Sequence, residues 1–113
     1  MSKPLEFSEA ALYTILDSAN HLDLEQEVLA TLMDLARCYL VAGKTRSSAI
    51  LTAFVLYQRQ LDVDTQKAAE SLWLHLETWS SSQILLQALD YAQQLSREKL
   101  LQSLLQDGQV YAF

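Results

Sequence analysis

The sequence predicts an all-α domain of five or six antiparallel helices, stacked as helical hairpins in an array or closed into a compact bundle. The chain has two Gly and one Pro in 113 residues, too few for the turns of an all-β fold. It has 23 Leu and 11 Gln, which favours helices. Apolar residues also recur at i, i+3 and i+4 spacing along most of the chain. The length corresponds to a single domain, residues 1–113.

The first two helices are predicted from their start and stop signals. Ser8 is expected to cap the first helix, whose apolar pattern breaks at Asn20-His21. Asp23 is expected to cap the second, because Gln26 follows it at the spacing of a capping box. Gly43 stands where a C′ glycine ends a helix, so the second helix is expected to end just before it.

The third helix follows Lys44-Thr45 and is apolar nearly all the way round between Ala49 and Tyr57. A helix of this kind is either central in a small bundle or covered by a partner. Both alternatives stay open at this point. We take this helix as the main sign of more apolar surface than the chain's own core uses.

The fourth and fifth helices also carry start signals. Asp62 or Asp64 is expected to cap the fourth helix. Ser80 is expected to cap the fifth, with Gln83 completing a capping box and Trp79 before it. The fourth helix therefore ends near residue 79.

The C-terminal part of the chain continues this pattern. Trp79 with Ile84 has the spacing of a hydrophobic staple. Ser96 is expected to begin a sixth helix near residues 97–107, unless the fifth and sixth helices run together. After it comes an apolar C-terminal tail, residues 109–113, which either folds back on the body or docks into a partner.

Composition argues against several classes of function. The net charge of −6 is opposite to what a general nucleic-acid binder or an anionic membrane requires. A single cysteine, Cys38, excludes a disulfide framework and a Cys-based zinc site. Gly43-Lys44-Thr45 lacks the first glycine of a phosphate-binding loop, since that position is Cys38. We therefore expect no cofactor, no metal site and no enzymatic activity.

The location is predicted from equally simple signals. The N-terminus does not begin as a signal peptide, and no apolar run approaches ~18 residues. We therefore expect a cytoplasmic protein without membrane insertion.

Residues 44–60 carry Lys44, Arg46 and Arg59 and no acidic residue. This local basic stretch is either a solvated surface or an anion site, and the latter would suit a helical DNA-binding regulator. A DNA-binding regulator is less favoured than a protein-binding function, because the chain as a whole is acidic.

The second and third helices resemble a tetratricopeptide repeat. The resemblance is carried by a large apolar residue, a Leu-Ala pair, a tyrosine, a turn glycine and a small residue in the following helix: Leu32, Leu35-Ala36, Tyr39, Gly43 and Ala49. The small residues Ala36 and Ala49 let the two helix axes approach closely where they cross. Residues 24–95 are covered, but the second unit (Leu72, Trp73, Leu76) has no turn glycine and no closing proline, and the turn after Gly43 is one residue longer than in the family.

This resemblance implies a concave helical surface that binds a peptide or helix of another protein. The small, acidic, helical chain is similar to the cytosolic chaperones of type III secretion, some of which are tetratricopeptide-like. We therefore expect a non-enzymatic module that holds an amphipathic helix of a partner, or alternatively a homodimeric adaptor or regulatory subunit. The candidate partner-binding residues are Leu32, Tyr39, Phe54, Tyr57, Leu72, Trp73, Tyr111 and Phe113.

Overall fold

The computed structural model describes residues 9–107, and over that range it contains six α-helices, a final π-helical turn and no strands. The all-α fold class is therefore confirmed. The predicted cap Ser8 and the tail 109–113 lie outside the described residues. The elements are α1 (Glu9–His21), α2 (Glu25–Val41), α3 (Thr45–Leu56), α4 (Val63–Trp79), α5 (Ser82–Gln94), α6 (Arg97–Gln102) and the π-turn (Ser103–Asp107).

Helix α3 is the centre of the bundle. Every residue from Ser48 to Val55 is buried, and α3 packs against α2, α4 and α5. Its buried hydroxyls are satisfied, because Ser48 Oγ donates to the Ala36 carbonyl at 2.7 Å and Thr52 Oγ1 to the Ser48 carbonyl at 2.8 Å. Of the two sequence-based alternatives, the central position is the correct one. The expected surplus of apolar surface on this helix is wrong, because neighbouring helices cover it.

The turn between α2 and α3 ends α2 as predicted. Gly43 has φ = 83°, in the left-handed region that favours glycine. Its N–H donates to the Leu40 carbonyl at 3.1 Å, and the Lys44 N–H donates to the Tyr39 carbonyl at 2.8 Å. This pair of bonds is a Schellman motif, and it satisfies two carbonyls that the helix end would leave unpaired.

The turn between α1 and α2 has the same construction, with Asp23 in place of the glycine. Asp23 has φ = 57°; its N–H donates to the Asn20 carbonyl at 3.2 Å, and the Leu24 N–H donates to the Ala19 carbonyl at 2.9 Å. Asp23 is therefore the left-handed residue that ends α1, and its assignment as the N-cap of α2 is wrong. Aspartate is one of the few residues other than glycine that adopt this conformation routinely.

Gln26, assigned to a capping box, instead joins two parts of the fold. Its Nε2 donates to the Gln60 carbonyl at 2.7 Å, and its Oε1 accepts from the Asp62 N–H at 3.0 Å. These bonds fix the start of α2 to the chain that leaves α3 and enters α4. Since Ser48 near the start of α3 bonds Ala36 in the second half of α2, α2 and α3 run antiparallel.

Helices α4 and α6 begin where the sequence predicts. Asp62 caps α4 by accepting from the Thr65 N–H at 2.7 Å, so Asp64 is not the cap. Ser96 caps α6 by accepting from the Lys99 N–H at 3.2 Å. Because α5 ends at Gln94 and Ser96 caps a new helix, α5 and α6 are separate.

Helix α5 begins one residue later than predicted. Ser81 is its N-cap, accepting from the Ile84 N–H at 3.3 Å. The Ser80 N–H instead donates to the Leu76 carbonyl at 2.8 Å and so closes α4. The staple predicted between Trp79 and Ile84 is wrong as well, since the Trp79 side chain is largely exposed.

The C-terminal elements close the bundle onto its N-terminal hairpin. Arg97 at the start of α6 bonds Glu25 Oε1 at 2.8 Å and Asn20 Oδ1 at 3.0 Å. Leu100, Leu101 and Leu104 are buried, and the π-turn contacts α1. The Cα radius of gyration is 13.2 Å, close to the ~13 Å of a compact domain of this length. The compact bundle is thus the correct one of the two predicted arrangements.

Candidate partner-binding surface

Three of the predicted partner-binding residues lie in the hydrophobic core. Leu32, Tyr39 and Phe54 are at most 4% exposed and belong to the packed interior that α2 and α3 share with their neighbours. In this fold a partner has no access to them. The groove expected along these residues is filled by the chain's own side chains.

The other predicted residues differ in their access to solvent. Tyr57, at the C-terminal end of α3, is 44% exposed, whereas Leu72 and Trp73 are half-buried against the core. Tyr111 and Phe113 lie outside the described residues. The part of the predicted site that remains accessible is thus the end of α3 and the middle of α4.

A pair of tyrosines, the buried Tyr39 and the partly buried Tyr13, connects α1 to α2. The hydroxyl oxygens of Tyr13 and Tyr39 are 2.6 Å apart, and Tyr13 donates to Glu9 Oε2 at 3.1 Å. The Lys44 ammonium lies 5.5 Å from the centre of the Tyr39 ring. Burial raises the pKa of Tyr39 to about 12, and it raises the pKa of Tyr13 further. Both phenols therefore stay protonated near neutral pH, and the pair links two helices instead of supplying an acid or a base.

Among the described helices, α4 carries the greatest number of large exposed apolar side chains. Val63 and Leu74 are each 64% exposed and Trp79 is 74% exposed, while α4 buries only Thr65, Ala69 and Leu76. The imidazole of His75, one turn before Trp79, lies 6.1 Å from the indole ring, centre to centre.

Leu74 points away from the core because of its helical position. The buried residues Thr65, Ala69 and Leu76 form one stripe, and at 100° per residue Leu74 lies nearly opposite that stripe. Sequence reasoning missed this residue. An apolar residue out of register with the stripe of its own helix was the available signal.

Two carboxylates accompany Leu74 on the exposed side of α4. Glu70 and Glu77 lie four residues before and three residues after it, so the three side chains share one face. Glu70 Oε2 accepts from Gln66 Nε2 at 3.3 Å. The sequence of α4 contains a single base, Lys67, against three acids. We call the exposed set Val63, Glu70, Leu74, Glu77 and Trp79 the α4 surface. At 100° per residue Trp79, which ends the helix, lies about 140° around the axis from Leu74.

The basic residues considered for nucleic-acid binding do not form one patch. Lys44 and Arg46 lie at the start of α3, and Arg59 follows its end. The twelve residues of α3 separate these positions by roughly 18 Å along the helix axis. Lys44 is also placed over the Tyr39 ring.

Residues 9–107 contain neither a group of metal-ligating side chains nor a membrane-spanning helix. Among them, no three or more His, Cys, Asp and Glu side chains are grouped so that they could hold a metal ion. In the same range, every helix is too short or too polar to cross a bilayer.

Over residues 9–107, these observations define a closed all-α domain of six helices whose fourth helix exposes apolar and acidic side chains. Comparisons with family models, with curated proteins and with solved structures find no match for the chain. Its function is therefore argued from the geometry described above.

Proposed function

We propose that this protein is a non-enzymatic, cytoplasmic protein-interaction module that binds a partner through the α4 surface. The observation that carries this proposal is the exposure of Leu74 and Trp79 on a helix whose core-facing stripe is already packed. Tryptophan is among the residues most enriched at the energetic centres of interfaces.

A small acidic chaperone of the secretion type is the specific form of this proposal. The small size, the net charge of −6 and the closed helical body support it. Such a chaperone covers an aggregation-prone apolar helix of its client, and the α4 surface offers apolar side chains with a charged border for that contact. In this proposal the client binds the outside of α4, and not the groove that the sequence predicted beside α3.

The alternative is a homodimeric adaptor that buries the α4 surface of one copy in that of another. Two copies would bring Glu70 and Glu77 of each chain together, with Lys67 as the single base of each α4. Like charges across an interface oppose association. This observation favours a different protein as the partner.

Site-specific photo-crosslinking tests the proposal. A photo-reactive amino acid is placed at position 74 or 79 of the full chain in its native cells. The matched control position is Val41, which is 90% exposed at the end of α2. We expect discrete crosslinked products from 74 and 79 but not from 41.

The crosslinking experiment also distinguishes the alternatives. Products of twice the chain mass would support the homodimeric adaptor. Equal crosslinking from all three positions, or none from 74 and 79, would contradict the proposed surface.

A further inference from the structure

We infer that the α4 surface binds a basic amphipathic helix of another protein, with an apolar residue of that helix on Leu74 and its Lys or Arg side chains on Glu70 and Glu77. This inference rests on the proposed function of the α4 surface and specifies the chemistry of the partner. It follows from the order of charges and apolar groups along α4.

The first step is the spacing. Glu70, Leu74 and Glu77 occupy positions i, i+4 and i+7 and so lie along one line of the exposed helix face. A helix rises 1.5 Å per residue, which places the two carboxylates roughly 10 Å apart along the axis with Leu74 between them. A partner helix with an apolar residue flanked by bases at spacings of three and four presents the complementary arrangement.

The second step is the charge balance around that line. Both glutamates are exposed, and the neutral Gln66 bonds Glu70. Lys67, seven residues before Leu74, is the one base on this side of α4, so the two glutamates leave the face net negative. Arg37 pairs with Asp34, and Arg97 pairs with Glu25, so these two bases are engaged elsewhere in the fold. The whole chain carries −6, which steers a basic partner toward it and disfavours a second copy or an anionic membrane.

The third step concerns affinity. Charge pairs at an exposed rim contribute little individually, whereas an apolar anchor that loses its water contributes more. The glutamates are therefore expected to select the partner and speed its association, and Leu74 to hold it. Binding should need both elements, and only the contribution of the glutamates should fall with salt.

The probe is an 18-residue helix-forming peptide of Leu and Lys, with Leu at i, i+3, i+4 and i+7, carrying a fluorescent label. A second peptide has Glu in place of every Lys. Fluorescence anisotropy measures binding of each peptide to the full chain at low and at high salt. Circular dichroism and urea unfolding confirm that each protein variant is folded.

Two charge-reversal variants of equal net charge decide the inference. Glu70→Lys with Glu77→Lys changes the α4 surface, whereas Asp17→Lys with Glu98→Lys changes α1 and α6, which make no contact with α4 within the described residues. We expect the first pair to weaken binding of the Lys peptide by at least about tenfold. The second pair should change binding less than about twofold, and the Glu peptide should not bind.

Three results would overturn the inference. Equal weakening by both pairs would mean that the peptide responds only to net charge. Binding of the Glu peptide as tightly as the Lys peptide would mean that the glutamates do not select, and failure of the Lys peptide to bind would contradict the partner's chemistry directly.

A further variant separates this inference from the proposed function. Leu74→Glu removes the apolar anchor between the glutamates, and the photo-reactive amino acid stands at position 79 in this variant. If this variant loses the position-specific crosslinks in cells while the glutamate reversals change nothing, the interaction surface stands and the basic partner is wrong. If the crosslinks persist in this variant, the α4 surface itself is wrong.

Discussion

The two left-handed turn residues predict different effects, because adding a side chain at Gly43 should lower stability whereas removing the side chain of Asp23 should change it little. Gly43→Ala introduces a Cβ at φ = 83°, where no atom lies within 4 Å of it. The effect is therefore backbone strain alone, roughly 1–2 kcal/mol, offset by about 0.4–1 kcal/mol from the lower entropy of the unfolded chain. We expect a net loss of about 1 kcal/mol in the free energy of unfolding, or a fall of about 4–8 °C in Tm.

Variants of Asp23 distinguish the observed left-handed turn from the N-cap that the sequence indicated. As a left-handed residue at φ = 57°, Asp23 should tolerate glycine with a change within about 0.5 kcal/mol, because relief of strain and added unfolded-state entropy nearly cancel. Asp23→Thr should cost about 1 kcal/mol or more, since a β-branched residue is strongly disfavoured at positive φ. As an N-cap, Asp23 would instead accept Thr almost as well as Gly.

Urea unfolding followed by circular dichroism at 222 nm measures all three variants, with the slope of the transition as the check on two-state behaviour. The expected order of stability is Asp23→Gly above Asp23→Thr, with Gly43→Ala below the unmodified chain. Equal stability of the two Asp23 variants would refute the turn assignment. A loss well above 2 kcal/mol for Gly43→Ala would refute the statement that strain is its only effect.

Three further predictions concern a cap, a tether and a pair of phenols. Ser81→Ala should lower the free energy of unfolding by about 1 kcal/mol and Ser80→Ala by much less, and urea titration showing the reverse order would restore the predicted cap. Arg97→Ala should speed amide hydrogen exchange in α6 more than in α3, because it removes the bonds to Glu25 and Asn20; unchanged protection of α6 would contradict the tether. Stability should fall as pH rises through 10 toward 12, because the folded state holds the Tyr39 proton to about pH 12 while the unfolded chain releases it near its usual pKa. The urea midpoint of Tyr39→Phe should therefore fall less steeply with pH than that of the unmodified chain. An equally steep fall would mean that another group titrates.

The fold was largely predictable from local patterns. Asp62, Ser96 and Gly43 act at the helix ends where their chemistry places them, since a cap or a left-handed turn depends on a few neighbouring residues. The predictions at Asp23 and Ser80 were wrong because two local signals of the same strength were available at each place. An aspartate before a helix suits either a cap or a left-handed turn, and only the preceding helix end decides which one forms.

The binding residues were less predictable, because exposure depends on the whole packing arrangement. Leu32 and Phe54 were chosen as large apolar residues on helical faces, a property that core and groove residues share. Leu74 was overlooked although its register set it apart from its own helix. Periodicity identifies which residues share a face, but the neighbours of that face come from distant parts of the chain.

The contrast between α3 and α4 shows which apolar pattern points to a partner. A wholly apolar helix such as α3 needs covering on every side, and α2, α4 and α5 supply that cover within the chain. Helix α4 packs through a narrow stripe of Thr65, Ala69 and Leu76, and within residues 9–107 the apolar Leu74 opposite that stripe stays exposed. A large apolar residue out of register on an amphipathic helix, with carboxylates on both sides, is therefore the stronger indication of an interface. By that criterion the contact to test on this protein is Leu74, and not the apolar circumference of α3.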